Sequence, residues 1–222
     1  MRTGEVCGLT WNDIDLEKRL IHINHNVYHK DNEVNGRWYF GTPKTANSIR
    51  SVHINSILYN ILVKYKNLQD CNRKKYGMNY ITYHLQNIIN DYGKIIEQKI
   101  VRNTNNRLPF KELNLVFTNE NGMYSGTDII RYPFKVIHHE LGIKNCRFYD
   151  LRGSYATNIL RNGAEIRDVA DILGHSRIET TENYYISSSE KTRKEANDRL
   201  TEIIKSDVIN KIINYWISKK DL

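Results

Sequence analysis

The segment from 150 to 185 constrains the fold most, because it contains two helical patterns with clear ends. The first covers 151–161 and is followed by Asn162-Gly163, a common helix C-terminus. In the second, over 164–173, apolar residues recur at the i, i+3, i+4 and i+7 spacing of one helix face; they are Ile166, Val169, Ala170 and Leu173. Gly174 then ends this helix. The segment therefore predicts two successive helices joined by a tight turn.

The first part of the chain combines one helical pattern with three strand patterns. A short helix is predicted over 2–9. Alternating apolar residues at 19–24 and 49–54, and an aromatic run at 37–40, are typical of strands. Asn35-Gly36, directly before the aromatic run at 37–40, is a hairpin-turn signal. We expect a small three-stranded antiparallel sheet, in which the Gly41-Thr42-Pro43-Lys44-Thr45 segment connects the second and third strands.

The remaining patterns are mainly helical. Residues 70–108, rich in Asn, Lys and Tyr, are predicted to be a peripheral insertion, and 115–122 an extended piece followed by a turn. With no internal repeat or low-complexity linker, we expect one domain over 1–222, mainly α with a small antiparallel sheet (α+β). The further helices are expected from 55, over 81–100, from 127, over 190–204 and over 207–218.

Composition narrows the class of partner and the compartment. Lys and Arg outnumber Asp and Glu by 33 to 25, which gives a net charge of +8. Such an excess favours a polyanion such as nucleic acid. Cys7, Cys71 and Cys146 are scattered without a CxxC pair, which argues against a disulfide framework or zinc knuckle and favours the cytoplasm. No apolar run has membrane-spanning length, so no membrane partner is expected.

Four segments carry side chains suited to phosphate chemistry. Three short patterns lie in or next to them: Leu-x-Trp-x-Asp (9–13) after the first segment, Asp-Leu-Arg in the third and Leu-Gly-His in the fourth. The four segments are Arg2-Thr3-Gly4-Glu5, Lys44-Thr45-Ala46-Asn47-Ser48-Ile49-Arg50, Tyr149-Asp150-Leu151-Arg152 and Leu173-Gly174-His175, the last running on to Tyr184-Tyr185. In this order and context the sequence resembles the tyrosine recombinases, the phage integrase family. The resemblance covers nearly the whole chain apart from 70–108.

The resemblance implies the fold of a tyrosine recombinase catalytic domain and a set of catalytic residues. Two guanidiniums neutralise the non-bridging oxygens of a phosphodiester in the transition state without a metal. A lysine acts as general acid for the leaving 5′ oxygen, and a tyrosine forms a 3′-phosphotyrosine. No metal or other cofactor is implied. The implied catalytic residues are Arg2, Lys44, Tyr149, Arg152, His175 and Tyr185.

Several assignments stay open at this point. Tyr184 is the second choice for the nucleophile, because both tyrosines lie at spacings that the family uses after His175. Tyr149 stands where the family usually has histidine; it can donate a hydrogen bond but is no base at neutral pH. Arg50 and Arg177 are expected to contact DNA, and a structural role is the alternative for Arg50. Glu5 is expected to be structural, orienting Arg2 or packing against the sheet.

The family also implies the reaction and the assembly. We expect a site-specific recombinase that integrates or excises a mobile element, acts on double-stranded DNA as a homotetramer and has no small-molecule substrate. The apolar face of 207–218 is predicted to dock on a neighbouring subunit, with docking on its own subunit as the alternative. Because a helix pattern is already running at Arg2, an N-terminal DNA-binding part is expected to be missing.

A non-enzymatic alternative is a basic helix-turn-helix regulator built from 151–161 and 164–173. The second of these helices offers mainly Arg167 for base recognition, beside three acidic residues whose charge opposes DNA. They are Glu165, Asp168 and Asp171. A type IB topoisomerase shares the recombinase chemistry but fits the Leu-Gly-His context less well.

Overall fold

The computed structural model describes residues 1–31, 38–41, 48–103, 111–143 and 146–186. A short helix and a 3₁₀ turn precede five short strands, in the order α1 (Thr3–Cys7), 3₁₀ (Trp11–Asp13), β1 (Ile14–Asp15), β2 (Leu20–Ile23), β3 (Asn26–His29), β4 (Trp38–Gly41) and β5 (Arg50–His53). There follow a long helix, a hairpin and four helices: α2 (Ser56–Tyr76), β6 (Tyr83–Ile89), β7 (Ile95–Arg102), 3₁₀ (Gly126–Ile130), α3 (Arg131–His139), α4 (Phe148–Arg161), α5 (Ile166–Leu173) and α6 (Glu179–Ile186).

The strands form two antiparallel sheets rather than the single sheet expected. One has the order β1-β2-β5 and the other β3-β4-β7-β6. The predicted strand at 37–40 was therefore assigned to the wrong sheet: it is β4, which lies between β3 and β7. The physical reason is its composition, because Trp38, Tyr39 and Phe40 are all buried and a strand buried on both faces needs a central position.

The helix predicted over 81–100 is wrong, because β6 and β7 form an antiparallel hairpin there. The chain turns between Asn90 and Lys94, where the Asn90 N–H donates to the Lys94 carbonyl at 2.9 Å and Gly93 has a φ of 74°. The hairpin is joined to the core, since β7 also pairs with β4 and Ile100 is buried. That 70–108 is an insertion in the family stays a prediction.

The expectation for 150–174 is confirmed. Helix α4 ends at Asn162-Gly163, α5 ends at Gly174, and their apolar faces share a small core of Ala156, Leu160, Val169 and Leu173. A second core lies under the β1-β2-β5 sheet and a third under the β3-β4-β7-β6 sheet. The predicted helix from 127 is a 3₁₀ turn followed by α3.

Four sequence predictions fall outside the described residues: the Asn35-Gly36 turn, the Lys44 connection, and the helices at 190–204 and 207–218. Within the part of the chain that the structure describes, no helix combines the length and apolar character needed to cross a membrane.

Candidate active site

Three arginines converge on the C-terminal end of α5. The carbonyls there lack partners within the helix and carry the negative end of its dipole, so they attract cationic donors. Each arginine comes from a different element, α1, β5 or α4, and each donates to a different one of three consecutive carbonyls. The pairs are Arg2 Nη2–Gly174 O (3.4 Å), Arg50 Nε–Ile172 O (2.7 Å) and Arg152 Nη2–Leu173 O (2.6 Å).

The backbone of Gly174 brings the next residue to this cluster. Its φ of 69° is the left-handed conformation that glycine adopts without strain. Its N–H donates to the Asp171 carbonyl at 3.0 Å, and the His175 N–H donates to the Ala170 carbonyl at 2.9 Å. This pair of hydrogen bonds reverses the chain at the helix end. The Gly-His pair is therefore a helix ending that presents His175 beside the arginines.

Glu5 is the anion of the cluster. Its buried carboxylate accepts from the Arg2 backbone N–H at 2.7 Å and from Arg2 Nη1 at 2.9 Å. It also accepts from Arg50 Nη1 and Nη2 at 3.2 and 3.0 Å. Burial alone would raise the pKa of Glu5, but the hydrogen bonds from Arg50 and Arg2 lower it to about 2. Glu5 is thus ionised and orients two arginines, which agrees with the structural role expected for it.

A close backbone approach places Arg2 and Glu5. A Cβ at Gly4, between them in sequence, would lie 2.6 Å from the Val27 carbonyl oxygen on β3. Any side chain at this position would push α1 away from the strand. Glycine therefore allows α1 to lie directly against β3, and this fixes where Arg2 reaches the end of α5.

Arg152 is the residue best placed to receive an anion. It is only 5% exposed, and among the described residues its Nε and Nη1 have no hydrogen-bond partner. Buried donors without partners are costly unless a ligand satisfies them. Burial, followed by the charges of Arg2 and Arg50, lowers the pKa of Arg152. Three guanidinium charges against the one carboxylate of Glu5 leave an excess of two positive charges here.

His175 is held by a contact that the sequence analysis missed. Its Nδ1 lies 2.9 Å from Oγ1 of Thr181, a fully buried residue on α6. Burial, then the charges of Arg152, Arg2 and Arg50, lowers the pKa of His175 to about 4. A neutral imidazole that accepts the Thr181 hydroxyl proton at Nδ1 carries its own proton on Nε2. In that tautomer His175 is a neutral hydrogen-bond donor; in the other tautomer Nδ1 donates to the Thr181 hydroxyl and Nε2 is an acceptor.

The structure brings together three of the predicted catalytic residues: Arg2, Arg152 and His175. Tyr149 lies one turn before Arg152 on α4, is 52% exposed, and its charge would raise the pKa of Arg152. Lys44 lies outside the described residues. Tyr184 and Tyr185 belong to α6, the helix that also carries Thr181, and their side chains are outside what the structure describes.

The two predicted DNA contacts differ. Arg177 is exposed in the turn between α5 and α6, where a partner can reach it. The Arg50 side chain is only 7% exposed, and all three of its guanidinium nitrogens donate to protein groups. The hydrogen bonds of Arg50 favour the structural alternative over phosphate contact, because four of its five guanidinium N–H groups already have protein acceptors.

The exposed surface of α5 argues against the helix-turn-helix alternative. Its outward-facing charged residues include one arginine and two carboxylates, with a third carboxylate at the N-cap position. They are Arg167, Asp168, Asp171 and Glu165. A recognition helix with this balance would repel the phosphates that flank a major groove.

Residues 1–192 match the Phage integrase family, so the chain belongs to this family of tyrosine recombinases. It is 29% identical over 208 residues to a tyrosine recombinase XerC-like protein of Caldanaerobacter subterraneus subsp. tengcongensis, covering 91% of this chain and 46% of that protein. It is 25% identical over 204 residues to the ICEBs1 integrase of Bacillus subtilis, covering 92% and 46%. The chain thus spans about half the length of these curated relatives.

Solved structures share the fold. The Tn1549 transposon integrase in complex with a circular intermediate DNA matches with a TM-score of 0.59 and 21% identity, over 90% of this chain and 54% of that one. XerA recombinase matches with a TM-score of 0.52 and 19% identity, over 89% and 52%. At these identities the likeness supports the fold, which is α+β with short antiparallel strands, and the site must be argued from its own residues.

Proposed function

We propose that this chain is the catalytic domain of a site-specific DNA recombinase that breaks and rejoins strands through a covalent 3′-phosphotyrosyl intermediate. One observation carries the proposal: Arg152 is buried with two unpartnered donors, beside Arg2 and His175, in a cluster with excess positive charge. Such a site suits an anion whose charge must be neutralised in a low-dielectric setting. The scissile phosphate of DNA is the anion that fits a member of this family.

Each residue of the cluster has a distinct task in this chemistry. Non-bridging phosphate oxygens accept hydrogen bonds from the free donors of Arg152 and from Arg2, which spreads the charge of the pentacoordinate transition state. His175 donates its Nε2–H to a phosphate oxygen. Glu5 stays ionised and keeps Arg2 aimed at the site. Because the guanidiniums supply the positive charge, the step proceeds without a metal.

The covalent step conserves the energy of the phosphodiester. The Tyr185 hydroxyl attacks phosphorus and passes its proton to a water molecule, which is necessary because an ordinary tyrosine, with a pKa of about 10, is neutral at pH 7. The bond from phosphorus to the 5′ oxygen breaks, and Lys44 protonates that oxygen. A 5′-hydroxyl of the second DNA strand then attacks the phosphotyrosine and releases Tyr185. Tyr184 remains the alternative nucleophile.

Recombination of a mobile element is the biological setting that we propose. Two similar proteins support it, since they are named as the integrase of ICEBs1 and of the Tn1549 transposon. Strand exchange needs two duplexes and four cleavages, so the active assembly is a homotetramer on double-stranded DNA. Residues 1–222 form one catalytic domain, and 207–218 dock on the neighbouring subunit.

The test is a trapping assay on nicked DNA. Duplexes tiled across the DNA that flanks the gene each carry a nick close to the candidate cleavage position, so that the short 5′-hydroxyl fragment diffuses away and the adduct accumulates. A protein–DNA band on a denaturing gel is expected for wild type and for Tyr92→Phe, a matched control at an exposed hairpin tip. It should vanish in Tyr185→Phe.

The alternatives give different patterns. Loss of the band in Tyr184→Phe, with retention in Tyr185→Phe, would move the nucleophile by one residue and leave the rest of the proposal standing. Reversible DNA binding that survives Tyr185→Phe, with no adduct from wild type on any duplex, would contradict the enzyme and support a DNA-binding regulator.

A further inference from the structure

Arg50 joins three parts of the molecule through one guanidinium. Its Nη1 and Nη2 grip the two carboxylate oxygens of Glu5 on α1, at 3.2 and 3.0 Å. Its Nε donates to the Ile172 carbonyl on α5 at 2.7 Å. Its Nη1 also donates to the Ser48 carbonyl at 3.0 Å, just before its own strand β5. Two of these partners, Glu5 and Ile172, lie three residues along the chain from a proposed catalytic residue, Arg2 and His175 respectively.

Two of these contacts reach residues of the site. Glu5 orients Arg2, and Ile172 lies three residues before His175 along the chain. A lysine could not replace these contacts together, because an ammonium is a point donor and lacks the planar fork that reaches a carboxylate and a carbonyl at once.

We propose that Arg50 is a positioning residue that sets the relative placement of Arg2 and His175, and that it does not touch DNA. The inference rests on the proposed function, because that function gives Arg2 and His175 their catalytic roles. Its consequence is specific. Loss of Arg50 slows the cleavage step, and the affinity for DNA stays the same, since the side chain is 7% exposed and four of its five guanidinium N–H groups already donate to protein acceptors.

The experiment separates chemistry from binding. Arg50→Lys keeps the charge and removes the fork. The rate of adduct formation is measured in a single turnover at saturating nicked DNA, and Kd is measured on intact duplex at several salt concentrations. We expect the rate to fall about 10- to 100-fold, as for a small displacement of reacting groups, with Kd and its salt dependence unchanged.

Two control variants are included: one that should weaken DNA binding and one that should change neither the rate nor Kd. Arg177→Gln, at an exposed arginine expected to contact phosphate, should weaken binding and reduce the salt slope by about 1. Arg131→Lys alters an arginine that is 79% exposed and paired with Asp128, and should change neither quantity. The rate of adduct formation in the double variant Arg50→Lys, Glu5→Gln should fall by less than the two single effects combined, because both substitutions act through one contact.

Folding is controlled by a thermal melt, with all rates taken below the melting temperature of the weakest variant. Addition of guanidinium ion to Arg50→Ala should recover part of the lost rate, relative to the same concentration of sodium chloride. A weaker Kd with a smaller salt slope and an unchanged saturating rate would overturn the inference and make Arg50 a DNA contact. Absence of an adduct from wild type would instead defeat the proposed function, and the inference with it.

Discussion

The helices α1 and α4 begin in the same way, and only one of these beginnings belongs to the site. At each, an arginine at the N-cap position bonds to a carboxylate three residues later through both its backbone N–H and its guanidinium. The distances are 2.7 and 2.9 Å for Arg2 and Glu5, and 2.8 and 3.1 Å for Arg147 and Asp150. The two local motifs are nearly identical.

Their surroundings differ. The Glu5 side chain is 3% exposed and also binds Arg50, whereas the side chains of Arg147 and Asp150 are 81% and 35% exposed. Hydrogen bonds from the partner arginine lower the pKa of Asp150, but solvent screens that pair. The motif by itself therefore only starts a helix. Burial, a second arginine and the end of α5 turn it into part of an anion site.

The largest expected effect is the difference in unfolding free energy between two variants that each remove the carboxylate of one motif. Glu5→Gln leaves Arg50 buried without its anion, a kind of change that costs about 3–5 kcal/mol. Asp150→Asn should produce a much smaller loss. Urea unfolding of both variants measures the difference, and wild-type-like adduct formation is expected only from Asp150→Asn. Equal losses of stability would contradict the distinction between the two motifs.

The stability of the protein at acidic pH should also depend more on Glu5 than on Asp150. The pKa of Glu5 is lowered from 4.5 to about 2, so the folded state binds fewer protons than the unfolded one between these values. Its contribution, of order 3 kcal/mol, is complete above pH 4.5 and is lost as the pH falls towards 2. Unfolding free energies measured across this range should fall less steeply in Glu5→Gln than in wild type, while Asp150→Asn should change the slope much less, because solvent screens its pair with Arg147. A parallel curve for Glu5→Gln would argue against the buried anion.

A smaller effect is expected at the other end of the cluster. Thr181→Val keeps the shape of the side chain and removes the hydroxyl that meets His175 Nδ1. The imidazole is then free to place its proton on either nitrogen, and the rate of adduct formation should fall about tenfold, which corresponds to the loss of one hydrogen bond of about 1 kcal/mol. Thr181→Ser should restore most of the rate. DNA affinity is the control and should not change.

The smallest effect is a shift in a titration. Because burial and three arginines lower the pKa of His175 to about 4, its imidazole should stay neutral in the free protein down to pH 5. NMR of the imidazole ring gives the midpoint directly. Glu5→Gln removes a negative charge from the cluster and should lower that midpoint further, and Asp150→Asn should not move it. A midpoint near 6.5 in wild type would show that the arginine field does not reach His175.

The parts of the molecule that local sequence specifies were predictable. The spacing of Val169, Ala170 and Leu173 predicted the buried face of α5, and Gly174 predicted its end, because both depend on neighbours within one or two turns. The grouping of Arg2, Arg152 and His175 came from the family resemblance. No local pattern connects residues that far apart along the chain.

Other parts depend on contacts between distant segments. The β6–β7 hairpin was taken for a helix, although its β-branched residues and the Asn90–Gly93 turn were signals for strands. The sequence left the role of Arg50 open and gave no signal for Thr181, because each role is defined by a partner from a distant segment, Glu5 and His175 respectively. A polar residue in a sequence does not reveal whether its partner lies in protein or in a ligand.

The most direct test of the central claim is to identify the amino acid that becomes joined to DNA. Wild-type adduct from the nicked duplex is digested with protease and nuclease, and the modified peptide is sequenced by mass spectrometry. We expect a nucleotide 3′-phosphate on Tyr185, on the helix that Thr181 anchors to His175. A nucleotide on a residue outside α6, such as Tyr149, or no covalent product under any condition, would contradict it.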